Sequence, residues 1–258
     1  VTPADTARST DAATAPRLTG EGAAAALMLG DDALILSHRL AEWTGHAPAL
    51  EEDVALANIS LDLLGQARTL FSFVGDEDEL AYLREERAFR NIQLVEQPNG
   101  DFAQTIARQL CFSLAQELRW TAILDSADCP TPIRELAAKA VKETAYHRDH
   151  ATEWTLRLGD GTEESHARMR RGMAVMWRHT GELFAPVPGL PLDDAALREQ
   201  WLTALRAVLA EATLDLPEGP DADAWAAGGG REGVHTEPFG FLLAEMQHLH
   251  RSHPGATW

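Results

Sequence analysis

Cysteine is scarce in this chain, which has Cys111 and Cys129 and no others. Two thiols cannot build a disulfide framework, and their spacing suits no metal site. Both read as core-filling residues of a protein kept in a reducing compartment. Lysine is as rare, with Lys139 and Lys142 the pair present, so nearly all basic charge is arginine. Positive charge as a whole is short: 22 Lys and Arg stand against 40 Asp and Glu, for a formal charge of −18. Nucleic acid and anionic membrane surfaces both need a basic face, so neither is expected as a partner, and the acidity reads as solubility. Apolar runs stay well short of the roughly 18 residues a membrane span needs. The first 20 residues are polar and rich in Ala, Thr and Asp, unlike a signal peptide. Residues 1–19 read as a flexible leader, and the expected location is the cytoplasm.

What is present is helical periodicity. At 258 residues and 45 % apolar composition, the chain can bury one large core. The clearest seam is 133–158, where Ile133, Ala137, Ala140, Val141, Thr144, His147, Ala151, Trp154 and Leu158 recur at three- and four-residue steps. Thr131-Pro132 suits a helix start and Gly159-Asp160-Gly161 a stop. A face this rich in small residues is what a helix buried in a bundle presents to its neighbours.

Similar seams mark 22–44, 51–74 and 101–126. The second opens on Glu51, Glu52 and Asp53, acids that suit the positive end of a helix dipole. Leu61 and Leu64 lie off its main seam, which makes that helix apolar on more than one side. The charged stretch 77–91 reads as a short outer helix and 91–100 as a loop ended by turn residues. Helices are expected over 162–184, with Arg168, Arg170 and Arg171 on a solvated face, and over 192–214 and 235–250. Residues 217–233 read as a flexible connector. The expected fold is all-α: a ferritin-like four-helix bundle with additional C-terminal helices. Residues 20–258 form a single domain, with 161–258 as a peripheral extension.

Bundles of this kind can hold two metal ions, using a carboxylate from each of two helices and a Glu-x-x-His pair from each of the other two. That three-residue spacing puts both ligands on one helix face. The literal matches are Glu163/His166 and Glu245/His248, at a charged helix start and near the chain end, where a dry site is not expected. At mid-height on the long seams the corresponding pairs are Leu63/Gln66 and Thr144/His147, with Glu42 and Glu117 as candidate single carboxylates. Leu63 and Thr144 cannot supply the charged oxygen donors that hard metals take. His147 alone reads as a hydrogen-bonded core histidine, and Glu143 as a solvated partner of Lys139. The interior is expected to be a metal cage that has lost its ligands.

Three segments, 29–68, 142–169 and 235–258, resemble the C-type subunits of phenylacetyl-CoA epoxidase, the ring-epoxidising oxygenase of bacterial aerobic phenylacetate degradation. The similarity runs over about residues 20–258. It implies a ferritin-like, noncatalytic subunit that binds the catalytic A-type subunit, with other subunits and an NADPH-dependent reductase in the same complex. The di-iron centre is then expected in that catalytic partner, with no cofactor in this chain. In that comparison Glu42 matches the first-helix glutamate of A-type chains, Leu63 and Gln66 their second-helix pair, and Thr144 and His147 their fourth-helix pair. Trp43 and Leu61, read as facing away from the chain's own core, are the candidate interface residues. The alternative function is a metal-dependent ferritin-like oxygenase or oxidase in its own right, using Glu42, Glu117 and His147.

Overall fold

The computed structural model describes residues 17–217 and 228–256, and among these residues it is helical without a strand. Most of the expected leader and most of the expected connector lie outside the described residues. In chain order the α-helices are α1 (Gly20–Ala41), α2 (Leu50–Ser72), the single turn α3 (Gln93–Glu96), α4 (Phe102–Asp125), α5 (Thr131–Gly159), α6 (Glu163–Trp177), α7 (Asp194–Glu211) and α8 (Glu237–Ser252).

The caps explain several boundaries. Glu51, Glu52 and Asp53 put negative charge in the first turn of α2, at the positive end of its dipole, and Asp53 also accepts from the Gly45 N–H at 2.6 Å. Asp101 caps α4 by accepting from the Gln104 N–H at 2.9 Å. Pro130 precedes α5 and Pro132 sits in its first turn, so the helix starts one residue earlier than Thr131 as a cap would have it. Thr162 and Ser165 form a reciprocal capping box at α6.

Helices α1 and α2 pack side by side, as do α4 and α5, and the two pairs meet through α2 and α5. This is the four-helix bundle. Helix α4 is its hub, touching α5 along its length and also α6 and α7. Gly172 brings α6 onto the backbone of α4, since a Cβ there would lie 2.8 Å from Gln104 Cα.

Three segments differ from expectation. Residues 77–91 are no outer helix but a π-helical turn at Glu79–Leu83 and a 3₁₀ turn at Glu86–Ala88. The reason lies in α1: Asp31 accepts from the Arg84 guanidinium and from the Arg90 backbone N–H at 2.8 Å. A regular helix would turn the Arg90 N–H inward to its own carbonyl. The expected 91–100 loop holds the helical turn α3, and Asn91, Ile92, Leu94, Val95 and Glu96 in it are fully buried. The helix expected over 162–184 stops at Trp177, where Thr180 returns its hydroxyl to the Trp177 carbonyl at 2.7 Å, and a 3₁₀ turn follows.

The described residues after 161 are not a peripheral extension but contribute to the core. Met169, Met173, Trp201, Leu205 and Phe239 belong to the same core cluster as Ile59 of α2 and Leu110 of α4. Trp177 and Trp201 stack with centroids 5.7 Å apart, and the Trp201 indole donates to the Cys111 carbonyl at 3.0 Å. Cys111 and Cys129 are free and buried, and burial pushes the Cys111 thiol up to about 12, which leaves it inert.

Candidate functional site

The four bundle helices converge on a small polar centre. Leu36 of α1, Leu63 and Gln66 of α2, Gln109, Phe112, Ser113 and Gln116 of α4, and Thr144 and His147 of α5 enclose a cavity of about 10 Å³. Residues three or four apart on each helix share a face, which is why Leu63 with Gln66 and Thr144 with His147 arrive together.

The partners of these side chains fix what the centre can do. Thr144 donates its hydroxyl to the Ala140 carbonyl at 2.7 Å, within its own helix. His147 Nε2 lies 3.1 Å from an Asp62 carboxylate oxygen, and burial pushes the imidazole below its ordinary pKa while Asp62 pulls the other way. Gln66 donates to Glu143 at 3.0 Å, and Glu143 is also 2.8 Å from Lys139 Nζ. Each carboxylate near the centre is therefore turned toward a neighbour rather than into the cavity.

This lining does not fit a pair of iron ions. Its donors are neutral amides, hydroxyls and one imidazole, interrupted by Leu36, Leu63 and Phe112, where such a centre takes four carboxylates and two histidines. Among the described residues no group of three His, Cys, Asp or Glu side chains is placed to hold a metal ion.

Leu63, Gln66, Thr144 and His147 share the centre, whereas Glu42 and Glu117 do not reach it. Glu42 follows the last turn of α1, pairs with Arg39 at 2.8 Å and accepts from Asn99 at 2.9 Å. Leu36 is the α1 residue at the cavity instead. Glu117 accepts both hydrogen bonds from Arg148, at 2.7 and 2.8 Å, on the wall of a groove between α4, α5 and α7. Trp43 also departs from expectation. It packs half-buried on the chain's own core, edge-on to Phe102, and its indole donates to Thr105 at 3.1 Å. The literal pairs Glu163/His166 and Glu245/His248 lie on outer helix faces, with His166 against the Gly159 carbonyl at 2.8 Å. Gln109 and Gln116 were missed, although their spacing with Ser113 carries a signal.

A second polar centre joins α1 to the C-terminal segment. Asp32 is fully buried, pairs with Arg231 at 2.7 Å and accepts from the Ile92 N–H at 2.8 Å. Glu96 accepts from Asn91, Thr236 and His235. Glu182 accepts from the Gly229 and Gly230 N–H groups, at 2.9 and 2.8 Å, and from the Gln93 N–H. Residues 228–236, read in part as a flexible connector, are thus anchored at three carboxylates.

The outer face of α2 is apolar. Leu50, Val54, Leu61 and Leu64 are 78 %, 54 %, 63 % and 38 % exposed, a stripe at helical spacing that no other described part of this chain covers. At Leu64 it opens into a groove of about 720 Å³ floored by Leu34, Phe71 and Met246.

Comparison with known proteins places this architecture. Residues 9–258 match the family described as phenylacetic acid catabolic protein. The chain is 45 % identical over 246 residues to the C-type subunit of 1,2-phenylacetyl-CoA epoxidase from Escherichia coli (strain K12), covering 90 % of this chain and 97 % of that protein. No helix among the described residues is long and apolar enough to cross a membrane. The similarity spans nearly the whole bundle, including all four helices around the polar centre: the chain belongs to the phenylacetic acid catabolic protein family.

Proposed function

We propose that this chain is a noncatalytic structural subunit of a multicomponent oxygenase that epoxidises the ring of phenylacetyl-CoA. It binds its catalytic partner and supports that partner's shape. The observation that carries this reading is the neutral lining of the bundle centre, where Leu36, Leu63 and Thr144 stand among amides and one imidazole and no carboxylate enters the cavity, whereas a di-iron bundle needs four. The iron and the oxygen chemistry then belong to the catalytic partner, and electrons reach it from a separate reductase. The apolar stripe on α2 supports the binding role, since it offers a contiguous surface that this chain's described fold leaves uncovered.

The test is iron loading of the purified chain, with metal content and oxygen uptake measured. The expected outcome is no stoichiometric iron and no oxygen uptake until the catalytic partner is added. About two irons per chain, with oxygen consumed by the chain alone, would establish it as an oxygenase or oxidase in its own right.

A further inference from the structure

We propose that the centre of the bundle is a binding site for one structural water molecule, held by Gln109, Ser113 and Gln116. These residues stand four and three apart on α4, so their side chains leave the same face of the helix. All three line the central cavity, and they are 1 %, 2 % and 5 % exposed. Gln109 Oε1, Ser113 Oγ and Gln116 Oε1 have no hydrogen-bond partner in the protein. The other polar side chains of the lining each have a partner away from the cavity: Thr144 donates to the Ala140 carbonyl, His147 Nε2 meets Asp62 and the Gln66 amide donates to Glu143. These three unpartnered oxygens thus belong to one face of α4 and line one cavity.

The chemistry of that demand selects the ligand. Two amide oxygens accept, and a hydroxyl can donate, so the occupant must offer two donors and one acceptor. Water does this with three hydrogen bonds, the usual number for a buried water. The cavity of about 10 Å³ is the size of one such site. A cation would need negative charge in the lining, and the nearby carboxylates Asp62 and Glu143 face His147, Gln66 and Lys139 instead. An apolar occupant would leave three buried oxygens unpaired. The site does not depend on the chain's assignment to an oxygenase.

A crystal structure of the intact chain, together with whatever partner co-purifies, tests the proposal. The expected result is a single water-sized density peak about 2.7–3.2 Å from all three oxygens, without anomalous signal. The paired substitution Gln109→Met and Gln116→Met is expected to abolish the peak. A second measurement on the unaltered protein covers the case in which that variant fails to fold. Water-selective nuclear Overhauser spectra should show a long-lived water next to the side-chain amides of Gln109 and Gln116. Side chains turned to pair with each other, a peak with metal anomalous scattering, or no long-lived water at these amides would each overturn the proposal.

Discussion

Asp31 and Asp32 are adjacent in the middle of α1 and both fully buried, a placement that ordinarily opposes folding. Each is matched by a guanidinium from far along the chain, Asp31 by Arg84 and Asp32 by Arg231, and each also accepts a backbone N–H. For Asp31 burial still outweighs Arg84 and holds the carboxyl above its usual range. Buried arginines elsewhere follow the same physics. Arg108, bound to the Gln97 carbonyl and Asn99, is pushed down to about 9 by burial first and by Arg39 second. Removing one member of such a pair strands the other. Asp32→Ala is expected to cost about 3–5 kcal/mol in urea unfolding, because Arg231 is left charged and dry. Replacing both partners together, Asp32→Leu with Arg231→Met, should recover much of that loss. Equal losses in the single and double variants would mean that the pair contributes through shape alone.

At the scale of elements, α1, α2, α4 and α5 were legible in the sequence because each buries a continuous stripe at helical spacing. Residues 77–100 were not. Their backbone is dictated by Asp31, Asp32 and Glu182, carboxylates that lie far from them in sequence, and no local pattern reports such partners. The same contrast holds inside the centre. Leu63 with Gln66 and Thr144 with His147 could be read from a three-residue step on apolar seams. Helix α4 hides its inward face because Arg108, Gln109, Gln116 and Arg119 are all buried, so polarity no longer marks the outside. One residue turns a helix by about 100°, enough to send Gln116 inward and Glu117 out to Arg148. Leu61 stands on the exposed face of α2, whereas Trp43 is drawn into the core by Phe102 and Thr105. If the α2 stripe meets the catalytic partner, Val54→Glu with Leu61→Glu should abolish co-purification while leaving the circular dichroism of the chain unchanged. Retained co-purification would move the interface off this face.

For the whole molecule, acid is the condition that exposes how the core is balanced. His38, His147 and His179 are all held below 6.5 by burial, His179 at about 4. An unfolded chain therefore takes up more protons than the native one as pH falls through 6.5, and these groups withdraw stability from there down to about 4 for His179. Asp31 and Asp194, held above 3.8 by burial, act in the opposite sense. The histidine contribution is isolated by His179→Gln: its melting temperature should fall less between pH 7 and pH 5 than that of the unaltered chain, by calorimetry. Identical pH dependence would show that His179 is protonated as readily in the native state as in the unfolded one. Asp32 finds its guanidinium in Arg231, 199 positions later. A chain folded only as far as α7 would bury the Asp32 carboxylate without that partner, at the cost an unpaired buried charge carries. The segment after α7 thus works as a clasp on the first helix, and its docking completes the ion pair buried there.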